Sequence, residues 1–129
     1  MKFLVLMTEP DHFDRWDASS DADQQAVFDA FRAFTDAVRA RGVLRYGDAL
    51  SRPEEAVTLR PGSAAGRPLT HGPYAESVEQ VGGFYVIELP DLDTAVEIAR
   101  LLPSEYTVEV RPLLDVYPDV AWGDRRGVD

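Results

Sequence analysis

Residues 69–99, LTHGPYAESVEQVGGFYVIELPDLDTAVEIA, decide the fold of this chain. The apolar segment 82–89, GGFYVIEL, predicts a buried β-strand that ends at a proline. Asp91 is a favourable N-cap, and the apolar stripe that follows predicts a helix over residues 92–102. Before the strand stand a histidine, a Gly-Pro turn and two glutamates, which raises the question whether this part serves a pocket or only the turn.

The segments on either side complete an order of strands and helices. Residues 3–7 are apolar at every position, which predicts a central strand covered on both faces. Residues 21–41 carry an apolar stripe with helical spacing, and the alternating residues 106–111 predict a strand with one buried face. Three short strands lie between, at 43–50, 56–60 and 67–70. The predicted fold is α+β, a ferredoxin-like βαββαβ domain with an inserted β-hairpin.

The long helix is expected to begin at a cap provided by Ser20 or Asp21, with Gln24 completing a capping box if Asp21 is the cap. Gly42 is suited to end it in the left-handed conformation. The polar segment 8–21 that precedes the helix is predicted to be a loop whose aromatic residues fold back on the core.

One face of the predicted sheet lacks a helix. It would carry Leu4, Leu6, Tyr85 and Ile87, or their alternates, and such a face is too apolar to be left in water. Two protomers packed sheet to sheet would cover it. We therefore expect a homodimer of the dimeric α+β barrel type.

Length, charge and composition limit the classes of protein to which this chain can belong. The 129 residues suffice for one domain, assigned to residues 1–117, with 118–129 as a C-terminal tail. The formal net charge of −10 disfavours nucleic acid and anionic membranes as partners. The absence of cysteine excludes disulfides and thiolate chemistry, and the apolar run 3–7 is too short to span a membrane. These features predict a cytoplasmic protein.

Residues 71–99, HGPYAESVEQVGGFYVIELPDLDTAVEIA, resemble the signature of the YCII-related proteins, in the branch named for an Asp-Gly-Pro-Phe (DGPF) motif. The upstream GVLRYGDAL and the later VEVRPL are similar as well. The chain departs from the pattern at His71, where the family has Asp, and at Tyr74, where it has Phe. The resemblance implies a ferredoxin-like dimer with a cleft between strand ends and loops, and no settled activity for this branch.

Relatives in the wider superfamily include dehydrochlorinases and proteins with a proposed His-Asp catalytic pair, and others occur beside or fused to sigma-type transcription factors. The predicted helix 21–41 contains no histidine, so that pair is not carried over to this chain.

The candidate site is centred on His71, which the Gly72-Pro73 turn holds in one direction. Histidine can accept or donate a proton near neutral pH, and Asp48, Glu76 and Glu79 are the carboxylates that could orient it. The catalytic candidates are His71 and Asp48, and the substrate-binding candidates are Tyr74, Glu76, Glu79, Trp16 and Tyr46.

Each of these residues also has a structural interpretation. His71 can bond a backbone group of the hairpin, the glutamates can cap turn amides or pair with Arg67, and Asp48 can mark a bulge or a sheet edge. His12, in an Asp-rich loop, is interpreted as exposed and without function. No ligand spacing typical of a metal site occurs, and neither a metal nor a cofactor is expected.

Three functions remain open from the sequence. The first is a protein that binds a small organic molecule near the HGPY motif, with acid/base chemistry as an open question. The second is a non-enzymatic interaction or accessory protein linked to transcription regulation, with a protein partner. In the third, the motif serves only the fold.

Overall fold

The computed structural model describes residues 1–75 and 79–114, and its centre is a four-stranded antiparallel sheet in the order β2-β5-β1-β6. A separate two-stranded ribbon pairs β3 with β4. The strands are β1 Lys2–Pro10, β2 Val43–Ala49, β3 Val57–Leu59, β4 Leu69–His71, β5 Glu79–Glu88 and β6 Thr107–Pro112. The helices are α1 His12–Ala18, α2 Asp21–Arg41 and α3 Leu92–Ala99.

This topology confirms the predicted ferredoxin-like α+β fold. The four strands of the main sheet and the helices α2 and α3 form the βαββαβ order, and the ribbon is the inserted hairpin. β1 lies in the middle of the sheet between β5 and β6, as predicted. The predicted tail, residues 118–129, and the domain boundary at residue 117 lie outside the described residues.

The hydrophobic core lies between the sheet and the two longer helices. Phe3, Val5 and Met7 alternate along β1 towards the helices and are buried there. They join Phe34 and Val38 of α2 in one cluster that also includes side chains of α3. Burying such side chains is the main favourable contribution to folding. Within the single chain the helices bury one face of β1 and the other face is half-buried, so the expectation that both faces are covered stays a prediction that depends on a partner.

The outer face of the sheet, opposite the helices, carries the alternate side chains of each strand. Leu4 pairs with Val86 and Leu6 with Phe84, so these four residues share the outer face. All four are half-buried in the single chain. Of the residues expected on this face, Leu4 and Leu6 lie there. Tyr85 and Ile87 point to the core, and their neighbours Phe84 and Val86 lie on the outer face in their place.

The ends of α2 differ in part from the prediction. Ser20 is the N-cap, with its Oγ accepting from the Asp23 amide at 3.1 Å, so Gln24 forms no capping box. Gly42 ends the helix in an extended conformation, φ −166°, rather than a left-handed one. Glycine is required there for space, because a Cβ would lie 1.9 Å from the carbonyl oxygen of Glu88.

α3 begins where the sequence predicts and ends earlier. The Asp91 carboxylate accepts from the Thr94 amide at 2.8 Å, and this hydrogen bond lowers the pKa of Asp91. The helix ends at Ala99 rather than at residue 102, which lies in the turn that follows. No helix within residues 1–75 and 79–114 is long and apolar enough to cross a membrane.

Candidate functional site

A cleft of about 440 Å³ opens between α1, α2 and one end of the sheet. Its volume is in the range of pockets that hold small organic ligands. Six aromatic side chains line it, those of Phe13, Trp16, Phe28, Phe31, Tyr85 and Tyr106. Such walls favour an apolar, flat molecule.

Glycines of β2 and β5 leave room for these rings against the strand backbones. A Cβ on Gly47 would lie 2.2 Å from Cδ1 of Tyr85, and one on Gly83 would lie 3.2 Å from the carbonyl oxygen of Asp48. The two glycines, with Gly82, border the cleft. Gly83 therefore serves close approach between strands, as glycine within a strand often does, whereas Gly82 faces the ring of His12.

The polar centre of the cleft is a hydrogen bond between His12 and Glu9. Nδ1 of His12 lies 2.9 Å from Oε2 of Glu9, whose side chain is only 8% exposed. A buried carboxylate requires partners, and Arg15 is the second, with Nη1 at 3.4 Å from Oε1. With Nδ1–H donated to Glu9, the neutral imidazole carries its lone pair on Nε2.

The free nitrogen of His12 lies beside Gly82. A Cβ on Gly82 would lie 3.2 Å from Cδ2 of His12 and 3.5 Å from Nε2, so the glycine keeps this space open. The imidazole also makes edge contacts with the rings of Phe13 and Tyr106, at centroid distances of 5.0 and 5.5 Å. These contacts and the bond to Glu9 fix the orientation of the ring.

The short helix α1 places His12 in the cleft, where the sequence predicts a loop. Asp11 adopts a left-handed conformation, φ 51°, which Asp tolerates better than most residues, and the chain turns there from β1 into α1. Arg52 attaches α1 to the segment after β2, because it pairs with Asp17 and lies over the ring of Phe13 at 5.1 Å. A seven-residue helix without buried residues depends on such contacts.

Two tyrosines bring hydroxyl groups to the cleft. Partial burial, with the charges of Glu9 and Glu105 as smaller causes, raises the pKa of Tyr106 to about 12, and burial also raises the pKa of Tyr85. Both side chains therefore stay neutral donors at ordinary pH. Within residues 1–75 and 79–114 neither hydroxyl has a hydrogen-bond partner, and no unpaired side-chain oxygen is buried.

Of the residues predicted for the site, Trp16 and Asp48 border the cleft. Trp16 contributes a ring that meets Phe28 edge to face at 5.5 Å. The Asp48 carboxylate accepts from the hydroxyl of Tyr46 at 2.9 Å, which raises the pKa of that phenol. The strand register places Tyr46 and Asp48 on the outer face with Val86 and Phe84, so Tyr46 lies on the far side of the sheet from the cleft.

The other predicted site residues lie apart from the cleft. His71 is exposed on β4, opposite Val57 of the ribbon. Tyr74 is 79% exposed just after it. Glu79 begins β5 and accepts from Oγ1 of Thr107 at 2.9 Å. Glu76 lies outside the described residues. The described side chains that line the cleft thus do not include His71, Tyr74, Glu79 or Tyr46.

The sequence contains a signal for the pairing of Glu9 with His12. Phe3, Val5 and Met7 form the inward row of β1, and Glu9 continues that row with a carboxylate. A charged residue in the buried register of a strand requires a partner, and a histidine follows three positions later. For Tyr106, by contrast, the sequence indicated only an inward-facing strand residue.

A second, more polar cleft of about 610 Å³ borders the Glu9–His12 pair and is lined by residues of α1, of α2 and of the segment 101–106. Glu9, His12, Trp16 and Tyr106 border both clefts and form the wall between them. Among residues 1–75 and 79–114 no three His, Cys, Asp or Glu side chains are grouped in a way that could hold a metal ion.

Comparison with known proteins gives a family. The chain matches the YCII-related domain family over residues 1–116. An uncharacterised protein of Rhizobium meliloti (strain 1021) is 47% identical over 62 residues, which cover 45% of this chain and 49% of that protein. The chain thus matches about half the length of this relative. Because the family match covers nearly the whole domain described above, the chain belongs to the YCII-related domain family.

Proposed function

We propose that this protein binds a small aromatic molecule in the cleft and moves a proton on it through His12. The observation that carries the proposal is the hydrogen bond from His12 to the buried Glu9 at the edge of an aromatic cleft. A histidine held by a carboxylate, with its second nitrogen beside open space, has the arrangement of a general base.

The electrostatics of the cleft favour an uncharged ligand. Its lining includes the carboxylate of Glu9, and no Lys or Arg is among the described lining residues, whereas the Asp48 carboxylate is on the outer face of the sheet. An anion would meet negative charge without a cationic partner there, in a chain of net charge −10. The hydroxyls of Tyr85 and Tyr106 can donate hydrogen bonds to an oxygen of a neutral ligand.

The role first predicted for His71 stays a prediction, and so do the binding roles of Tyr74, Glu76, Glu79 and Tyr46. The same is true of membership in the DGPF branch and of a cytoplasmic location. The lining of the cleft includes His12 and no residue of β3 or β4, which favours His12 over His71 as the acid/base residue.

We also propose that the outer face of the sheet packs on a second copy in a homodimer of the dimeric α+β barrel type. Leu4, Leu6, Phe84 and Val86 form an apolar centre on this face, flanked by the ion pairs Arg45–Glu88 and Arg111–Glu109. An apolar centre with a charged rim is typical of protein interfaces. Light scattering that gives the mass of a single chain would contradict this part of the proposal.

The chain's two histidines allow a matched test of the ligand proposal. A panel of neutral mono- and bicyclic phenols and aryl ketones is screened by ligand-observed NMR, and the dissociation constant of each hit is measured for wild type, His12→Ala, Gly82→Ala and His71→Ala. We expect His12→Ala to weaken binding roughly tenfold, because a hydrogen bond to a ligand is lost. Gly82→Ala is expected to weaken it through the methyl group placed beside Nε2.

His71→Ala is the control, and its dissociation constants are expected to stay within about twofold of wild type, because remote surface substitutions have small effects. The reverse result, in which His71→Ala abolishes binding and His12→Ala does not, would move the site to the ribbon. A panel without hits and with no resonance change near His12 would contradict the small-molecule proposal.

A further inference from the structure

The ribbon formed by β3 and β4 has one apolar face without a partner in the described chain. Val57 pairs with His71, and Leu59 pairs with Leu69, so these four side chains share a face. Val57, Leu59 and Leu69 are 55%, 52% and 55% exposed. The other face carries Thr58 and Thr70, whose hydroxyls bond backbone carbonyls.

The ribbon is attached to the domain as a separate unit. Neither of its strands joins the four-stranded sheet. An isolated two-stranded ribbon is marginally stable in water, and a row of exposed apolar residues along it adds to that disadvantage. We therefore expect another surface to cover this row of apolar side chains.

The charge of the ribbon differs in sign from that of the rest of the protein. Residues 56–75 contain Arg60 and Arg67 and no Asp or Glu, so they carry +2 in a chain of −10, and the remainder carries −12. Within the described residues both guanidinium groups are held by backbone carbonyls and form no ion pair: Arg60 bonds Tyr74 O, and Arg67 bonds Arg60 O. Their charge is left available to an acidic surface.

We propose that this ribbon is an arm that binds a second copy of this chain. A second copy carries the net negative charge that complements the arm, and the arm offers an apolar row together with two guanidinium groups that form no ion pair within residues 1–75 and 79–114. The contact uses a different surface from the sheet-to-sheet contact proposed above, and it does not depend on the ligand cleft. In this arrangement His71 and Tyr74 contribute to an interface.

The proposal that the arm binds a second copy is tested by measuring the mass in solution of the protein and of matched variants. Sedimentation equilibrium is measured for wild type, Leu69→Glu and Thr70→Glu, which place the same charge on neighbouring residues of opposite faces of β4. We expect Leu69→Glu to raise the dimer dissociation constant on the order of tenfold or more, as for a residue at the centre of an interface. Thr70→Glu is expected to change it far less. Higher salt is expected to weaken the wild-type dimer.

Cross-linking distinguishes the arm from other occupants of the apolar row. A photoreactive amino acid replaces Leu59, and isotopically heavy and light protein are mixed before irradiation. We expect products that join a heavy chain to a light one and that map to acidic surface. Products confined to one chain, or a wild-type protein that stays monomeric, would overturn the proposal.

The variant Leu6→Lys tests the sheet-to-sheet contact separately from the arm. This substitution lies on the outer face and places a cation opposite Glu109. Circular dichroism verifies that each variant is folded. If Leu6→Lys dissociates the dimer while Leu69→Glu leaves its dissociation constant unchanged, the arm proposal is wrong and the sheet contact stands. Dissociation by Leu69→Glu but not by Thr70→Glu supports the arm whatever the effect of Leu6→Lys.

Discussion

The two histidines of this protein lie in opposite surroundings. His12 is held by a buried carboxylate and by two aromatic rings at the edge of a cleft. His71 lies on an exposed ribbon, within the most distinctive motif of the sequence. A conspicuous motif and a chemically organised site are thus different parts of this chain. A site is made by the convergence of side chains from several elements, which is a property of the tertiary structure.

The largest expected effect is on the free energy of unfolding, where a substitution in the core beneath the cleft is compared with one in the ribbon. Phe34 is fully buried against Tyr85, whereas Leu59 is half exposed. Phe34→Ala is expected to lower the free energy of unfolding by about 3–5 kcal/mol through the cavity that it leaves. Leu59→Ala is expected to lower it by less than about 0.5 kcal/mol in the monomer. Urea unfolding at a dilution that keeps the protein monomeric measures both, and equal losses would mean that the ribbon is part of the core.

The next largest effect is expected for Glu9, the carboxylate that holds His12, compared with the exposed His71. Glu9→Ala leaves the partly buried His12 and one guanidinium without their acceptor, and we expect a loss of about 1–3 kcal/mol in the free energy of unfolding. His71→Ala removes an exposed side chain and is expected to change that free energy by less than about 0.5 kcal/mol. A histidine NMR spectrum of Glu9→Gln should move only the His12 signals. Movement of the His71 signals instead would contradict the contacts described above.

The smallest effect concerns pH and the tyrosine beside His12. The phenol of Tyr106 has its pKa raised from 10.0 to about 12 by burial, so the folded state keeps its proton where the unfolded state loses it. Its contribution to stability is complete below pH 10 and is lost as the pH rises towards 12. We expect Tyr106→Phe to flatten the fall of the unfolding free energy in this window. Tyr74→Phe, on the exposed phenol after the ribbon, is the control, and an equal flattening there would contradict this assignment.

Local sequence patterns sufficed for most of the fold. The apolar stripe of α2, the Asp91 cap and the alternation in β6 predicted elements that the structure has, because each pattern matches the period of one element. The segment after β1 was predicted as a loop and forms α1. Its seven residues bury no side chain fully, so the pattern that predicts helices is weak there.

The glycine at the end of α2 shows the same limit. Its position predicted a helix end, which is confirmed, but the predicted left-handed conformation is wrong. The glycine is needed because the backbone of Glu88 passes within 1.9 Å of where a Cβ would lie. That contact joins residues far apart in the chain, and local pattern carries no information about it.

Sequence patterns alone predict the α+β fold, the central position of β1, the inserted hairpin and the presence of an apolar outer face on the sheet. Those features follow from the periodicity of apolar residues and from caps and turns, which are local. That Glu9, His12 and Tyr106 meet at one cleft while His71 does not line it is a property of the folded chain. β1, α1 and the segment before β6 had to pack together before these side chains met, and the burial that pairs Glu9 with His12 exists only in the folded chain.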